Sequence, residues 1–308
     1  MNESNRQILI YGGTGFYGQK VVEKLIRKGQ PVKVVSRDRT KAEKLFGDKV
    51  EIFEGDVTEH KTIVESLKNA GSVVICLSAA NSNLFRKMKQ IERDAVLTIM
   101  DEAKKTGVSR LVYLSGYEMR EKLLRELKIP EFGKIKIEIE NRISRSDLNW
   151  TILGCAPAFE VFFAFIRKGK MTVPGGGRNP IPCVSADDVG EITAQTVIRN
   201  DLIRCRLRLT SPHAYSFPEV ANKITEISGK KLKHGSIPLF LINTVSFLLL
   251  PFNPFVRFLY QGLKLLNNFP ADLARNVPND HKLLRKFFDY NPVTLEMEIK
   301  HRLKNRNL

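Results

Sequence analysis

Residues 7–18, QILIYGGTGFYG, decide how the chain folds. Ile8, Leu9, Ile10 and Tyr11 form a short apolar run, the pattern of a strand covered on both faces. Gly12, Gly15 and Gly18 follow at three-residue spacing, with Gly13 as an additional glycine. A helical pattern comes next: Val21, Val22, Leu25 and Ile26 alternate with Lys20, Glu23, Lys24, Arg27 and Lys28. Gly29 ends it, and Gln30-Pro31 marks the break. A strand feeding a helix through such a turn gathers unpaired amides and the positive helix end at one point. A pyrophosphate needs both. Gly12 permits the tight turn, Gly15 lets the backbone approach phosphates, and Gly18 lets the helix pack near the strand. Thr14 and Phe16 lie in the same turn and count as candidate contacts. A ligand-free glycine turn is the alternative, but the flanking strand and helix favour nucleotide binding.

Working outward, further strands read at 32–36, 50–54, 72–77, 110–115 and 149–155. Helices at 40–46, 61–69, 84–105 and 133–146 separate them. This alternation predicts an α/β fold with a Rossmann-like, doubly wound parallel sheet. Beyond residue 155 the style changes. Residues 169–177 read as a loop, 181–184 as an extended piece, and 204–209 as a strand. Ser185 to Asp188 start a helix that runs to about 199, and Ser216 caps another over 217–228. The expected division is a dinucleotide-binding domain over 1–155. A smaller C-terminal substrate or lid region follows over 156–308, partly interleaved with the sheet.

The ends of the predicted strands hold the candidate binding residues. NAD sites place a carboxylate about 20 residues beyond the glycine turn. Here Ser36 and Arg37 stand at that point, and a guanidinium pairs well with phosphate. NADP(H) is therefore favoured over NAD(H), with Ser36 and Arg37 at the 2′-phosphate. Asp38 is the competing feature, since a shift of one residue would put its carboxylate on a ribose. Asp56 and Val57, in the turn Gly55-Asp56-Val57-Thr58, fall where an adenine edge would lie; capping the next helix is the other reading for Asp56. Ser78 opens a run of small residues after the fourth strand, where a nicotinamide ribose would approach the backbone.

The 308 residues carry a formal charge of +17 and 43% hydrophobic residues, enough apolar surface for a full core. Such a charge surplus suits an anionic partner, a phosphorylated cofactor, nucleic acid or an acidic lipid surface. But the basic residues are spread along the chain with no nucleic-acid-binding module, so a solvated basic surface is the plainer reading and nucleic acid is not expected. Cys76, Cys155, Cys183 and Cys205 stand singly in apolar stretches and read as buried free thiols. The five histidines have no ligand spacing, and no metal site is expected. The polar start, MNESNRQ, enters the first strand directly, which predicts a cytoplasmic protein.

Four stretches together resemble the atypical or extended short-chain dehydrogenase/reductases, and more narrowly the NmrA-like NAD(P)-binding family. They are YGGTGFYG at the start, GDVT at 55–58, NWTILGCAPAF at 149–159, and SADDVG followed by SFPEVANKITEISGK. The likeness covers roughly residues 6 to 236. It implies a Rossmann domain and hydride transfer from a nicotinamide cofactor. The family chemistry combines a Tyr-x-x-x-Lys pair with an upstream serine. Ser115 matches the serine and Lys136 the lysine, with Glu140 one turn later. Phe132 stands where the tyrosine belongs, and a phenyl ring donates no proton. Gly154-Cys155-Ala156-Pro157 also replaces the Arg-Pro-Gly common after the sixth strand. Ser115 and Lys136 are the catalytic candidates, and Lys136 is also a cofactor candidate. The competing reading makes Lys136 a solvated lysine paired with Glu140.

From His234 to Val256 no side chain carries a full charge. Pro238, Pro251 and Pro254 argue against a membrane span. The plainer reading is two apolar helices with a turn at PFNP, forming a lid or the core of the C-terminal region. The sharper one is a membrane- or protein-contacting surface over 237–266, which would leave the protein cytoplasmic but membrane-associated. The tail from 295 reads as helical. Two functions compete. One is an NAD(P)H-dependent oxidoreductase acting on a small or lipophilic carbonyl, enone or quinone-like substrate. The other is a non-catalytic NADP(H)-binding redox sensor or assembly protein.

Overall fold

The computed structural model describes residues 6–305. The chain begins with β1 (Gln7–Tyr11), α1 (Phe16–Arg27), β2 (Val32–Ser36), α2 (Arg39–Phe46), β3 (Glu51–Glu54) and α3 (His60–Ser66). It continues through β4 (Ala70–Ile75), α4 (Ala95–Lys105), β5 (Arg110–Gly116), α5 (Glu121–Glu126), α6 (Lys134–Ser144) and β6 (Trp150–Cys155). Then come α7 (Glu160–Phe163), β7 (Ile166–Arg167), β8 (Lys170–Pro174), α8 (Ala186–Ile198), β9 (Cys205–Leu209) and α9 (Phe217–Ser228). The last elements are β10 (Lys233–Ile237), α10 (Leu239–Leu248), α11 (Pro254–Asn267), α12 (Ala271–Phe287) and α13 (Leu295–Lys304).

Two compact units share these elements. The first holds the residues up to Met119, Gly133–Gly154 and Ala186–Leu207. Its seven-stranded sheet runs in the order β3-β2-β1-β4-β5-β6-β9. β1 lies inside it, parallel to β2 and β4, with Ile10 opposite both Val34 and Val74. Leu9, Ile10 and Tyr11 are fully buried, as a strand covered on both faces requires. Helix α8 packs on α1. A Cβ on Gly190 would lie 2.7 Å from the backbone of Lys20, so glycine lets the two helices close up. Lys24 pairs with Asp187 at 2.6 Å and Lys28 with Glu191 at 2.7 Å along the same seam. These contacts hold α1, and with it the turn at its N-terminus.

The helix expected over 84–105 is present without a gap from Phe85 to Lys105, but its first half is irregular. Phe85–Lys87 is a 3₁₀ turn and Gln90–Asp94 a π turn; regular α-helix starts only at Ala95. Side-chain bonds accompany the irregularity. Asn81 Oδ1 accepts the amides of Asn83 and Leu84, both at 3.1 Å, and Glu92 turns inward to accept the Ala79 amide at 2.6 Å. The helix expected over 61–69 ends at Ser66, because Asn69 takes a φ of 65° and starts β4 at Ala70.

The second unit holds Arg120–Phe132, Cys155–Ser185 and the residues from Arg208 onward. Its small sheet has the order β10-β8-β7, with β8 parallel to β10 and antiparallel to β7. The stretch 169–177, expected to be a loop, therefore contains a strand. Met171 and Val173 alternate inward and are buried, and the chain leaves the strand through Gly175, Gly176 and Gly177, all at positive φ. Cys155 and Cys183 are buried free thiols, while Cys76 and Cys205 are only half-buried, against expectation. The two apolar helices and the turn expected near PFNP are α10, α11 and their link. Only Ser246 of α10 is buried, so this helix is not core. Among the described residues no helix is long and apolar enough to cross a membrane.

Candidate functional site

The candidate residues of the first unit lie at the carboxyl ends of its parallel strands: the turn after β1, the ends of β2, β4 and β5, and the start of α6. In the turn, the Gly15 amide donates to Gly12 O at 2.9 Å, and Gly12 takes a φ of 80°. A Cβ on Gly12 would sit 2.7 Å from Cys76 O, and one on Gly18 would collide with Gly12 O. Gly13 is close-packed too, facing Val34. A Cβ on Gly15 would meet only Gly12 O, at 3.0 Å, so its outer side is open. Gly15 is the N-cap of α1; no side chain caps the helix, and its first turn carries no carboxylate. Gln19 Nε2 ties down Thr14 O at 2.9 Å, and the Phe16 ring is 53% exposed. A helix end with open amides, no competing anion and a glycine wall fits a phosphate group.

At the end of β2, the Ser36 hydroxyl donates to Asp38 O at 2.9 Å and accepts the Asp38 amide at 3.2 Å. Asp38 in turn caps α2, its Oδ1 accepting the Lys41 amide at 2.8 Å. Its carboxylate is thus committed to the helix. Arg39 is held by Glu54 at 3.2 Å and by Ile52 O at 3.1 Å. Arg37 extends toward solvent, with only a loose 3.9 Å pair to Asp56. Asp56 does not cap α3, whose N-cap is Glu59. Its Oδ1 accepts the Thr58 amide and hydroxyl, both at 2.9 Å. Burial pushes its carboxyl up, but the two Thr58 bonds, Arg37 and Lys87 together bring it below the usual carboxylate range. Val57 points into the core beside this turn. Ser78 is exposed, and its hydroxyl faces the Ala80 amide at 3.4 Å.

Ser115 is the penultimate residue of β5, buried, and its Oγ has no hydrogen-bond partner in the described structure. Two residues earlier on the same face of the strand, Tyr113 is fully buried, and its phenol lies beside the Lys136 ammonium. Burial pushes that phenol up. Lys136 Nζ lies 5.1 Å from the Tyr113 ring centroid and 3.2 Å from Glu92 Oε2. Burial alone would lower the lysine; Tyr113 and Glu92 outweigh it and hold its pKa above the usual value. The expected pairing of Lys136 with Glu140 does not occur. Glu140 accepts instead from Arg206 Nε at 2.8 Å. Arg206 Nη2 also donates to Gly116 O and Tyr117 O, both at 2.9 Å. Gly154 leaves the room, because a Cβ there would lie 2.8 Å from the guanidinium.

Glu92, Tyr113 and Arg206 are missing from the reading of the sequence. Glu92 was hidden inside an apparently regular helix, and π turns occur often at functional sites. Arg206 reads only as the outward residue of a strand. In the second unit, the Phe132 ring packs 5.0 Å from Phe258, centroid to centroid, and a Cβ on Gly262 would lie 3.5 Å from it. It is a packing residue, and it stands where a tyrosine was expected.

The NmrA-like family pattern matches residues 4–290. The photosystem II assembly factor Ycf39 of Trieres chinensis is 26% identical over 78% of this chain and 74% of its own. The NAD(P)H azoreductase of Xenophilus azovorans is 25% identical over 75% of this chain and 77% of its own. The Escherichia coli NADPH-dependent quinone oxidoreductase QOR2, solved with NADPH, superposes with a TM-score of 0.73 at 18% identity, covering 96% of this chain and 100% of that one. The doubly wound sheet, the glycine turn and a sequence match over nearly the whole length agree: the chain belongs to the NmrA-like family.

Proposed function

We propose that this protein is an NADPH-dependent oxidoreductase acting on a small, lipophilic carbonyl, enone or quinone-like compound. The observation that carries the reading is the uncapped, carboxylate-free N-terminus of α1 behind the open side of Gly15. The azoreductase relative and the quinone oxidoreductase fold support it. The turn from Gly12 to Gly18 would hold the pyrophosphate. Arg37 would take the 2′-phosphate, on a turn that Ser36 shapes and from which Asp38 is withdrawn. Asp56 and Val57 would border the adenine, and Ser78 and Lys136 the nicotinamide ribose. Bound there, the cofactor would supply a hydride. Ser115 Oγ, buried and unbonded, would donate to a substrate oxygen as negative charge develops on it. Lys136, kept protonated by Glu92, would hold a ribose hydroxyl and add positive charge beside that oxygen.

A second reading, a cofactor-binding protein without turnover, rests on Phe132. Its packing on Phe258 leaves no proton donor at the position where the family has tyrosine. The Ycf39 relative, an assembly factor by name, fits that reading. NADPH consumption over a panel of aldehydes, ketones, enones and quinones separates the two. Substrate-dependent consumption that disappears in Lys136→Ala supports the enzyme; tight NADPH binding with no consumption supports the second reading.

A further inference from the structure

Helix α10 is built inside out. Its one buried residue is polar: Ser246, whose hydroxyl donates to Asn243 O at 2.8 Å. Arg257, from α11, reaches back to Asn243 Oδ1 at 2.6 Å and Ser246 Oγ at 3.3 Å. The large apolar side chains point the other way. Phe240, Phe247 and Leu248 are 66–67% exposed, and Phe252 in the link to α11 is 78% exposed. Of the sixteen large apolar residues that the described structure leaves exposed, nine fall between 240 and 259. Such a patch on a protein in water is unfavourable unless something covers it.

Many backbone amides and hydroxyls of this tip bond within it. The Leu249 amide donates to Val245 O, Leu250 to Phe247 O, and both Phe252 and Asn253 to Leu249 O. Positions 251 and 254 are prolines, which have no amide hydrogen. The Thr244 hydroxyl donates to Phe240 O at 3.0 Å. The tip therefore takes few unmet donors out of water, the condition for entering hydrocarbon. Its sequence neighbourhood is one-signed. Residues 227–271 contain no Asp or Glu, and Lys230, Lys231, Lys233, Arg257 and Lys264 carry positive charge.

We propose that the tip formed by α10, residues 249–253 and the start of α11 seats in the headgroup and outer acyl region of an anionic lipid bilayer. The apolar side chains provide the insertion and the lysines the attraction to acidic headgroups. A second copy of this chain fits less well, because a symmetric contact would set the cations of 227–271 against each other with no carboxylate from that segment to pair them. The inference is independent of the proposed activity.

Flotation of the full chain with phosphatidylcholine vesicles, with and without phosphatidylglycerol, tests it. Partitioning onto the anionic vesicles should exceed that onto the neutral ones by at least about tenfold, and the excess should vanish in about 1 M salt. A combined variant, Phe247→Asp, Leu248→Asp and Phe252→Asp, should lose at least about a hundredfold in partitioning. Its thermal midpoint and NADPH affinity should stay unchanged, since all three positions are exposed. Exchanging Lys230, Lys231 and Lys233 for Gln should lower binding to anionic vesicles alone. Equal binding to both vesicle types, binding unaffected by the triple variant, or no vesicle binding with a dimer that the triple variant splits would each overturn the proposal.

Discussion

Gly15 and Gly18 stand three residues apart and differ in what a methyl group would meet there. At Gly18 it would strike the carbonyl of Gly12, a backbone atom that cannot step aside. Gly18→Ala should therefore cost about 1–3 kcal/mol of stability as well as cofactor binding. At Gly15 it would crowd one carbonyl at 3.0 Å and fill the open wall. Gly15→Ala should keep a near-normal denaturation midpoint and lose at least tenfold in NADPH affinity, roughly the 1.4 kcal/mol of one impaired phosphate contact. Arg37 makes a sharper test of cofactor choice. Hydrogen bonds to charged groups contribute about 1.5–3 kcal/mol, so Arg37→Ala should weaken NADPH about tenfold to a hundredfold. NADH, which lacks the 2′-phosphate, should be nearly unaffected. Equal losses in a titration with both nucleotides would refute the assignment. Glu92→Gln addresses the lysine. A carboxylate 3.2 Å away raises the lysine pKa, so removing the charge lowers it and the ammonium is lost at lower pH. The alkaline limb of NADPH affinity should move downward by about one pH unit or more, while Gln still accepts the Ala79 amide.

Two arginines connect elements that local sequence patterns treat as separate. Arg110, at the start of β5, is 2% exposed. It donates to Asn149 O, Thr151 Oγ1, Thr196 O and Leu202 O, which ties β5 to β6 and to the end of α8. Arg206, on β9, bridges Glu140 on α6 and the carbonyls that follow Ser115. Arg206→Ala leaves Glu140 and two carbonyls short of a partner and should cost about 2–3 kcal/mol, read from the urea midpoint. Arg206→Lys should restore only part of this, because one ammonium cannot span the fork. Neither role was legible beforehand, since a charged residue in a strand pattern reads as facing solvent. What was legible had local causes. The β1 turn announced itself through glycines and an apolar run, and helix α9 through its cap Ser216, which the structure completes as a box with Glu219. The π turn was not, because Glu92 fits a helical pattern and departs from it only by reaching Ala79. The strand β8 was masked by the glycines around it, and α12 by Pro278 within its span. In the site, the positions of Ser115 and Lys136 could be taken from a resemblance, but the partner of Lys136 is 44 residues away in sequence and depends on the packing of α6 against the π turn.

At the scale of the whole chain, one residue offers a built-in reporter. Trp150 is the only tryptophan, 8% exposed on β6 in the first unit. Its emission follows the seven-stranded sheet, whereas far-ultraviolet circular dichroism also records the helices of the second unit. A ligand that binds only the folded sheet stabilises it by RT ln(1 + [L]/Kd), about 2.7 kcal/mol at a hundredfold excess over Kd. NADPH at that level should raise the Trp150 midpoint by several degrees, and NADH at the same concentration should raise it less. In Arg37→Ala the two nucleotides should give the same small shift, because the group that distinguishes them is gone. The triple Asp variant at the α10 tip should show the full NADPH shift, because its substitutions lie in the other unit and outside the nucleotide cluster. An unmoved midpoint with saturating amounts of either nucleotide would leave the glycine turn a folding device and remove the basis for the oxidoreductase reading.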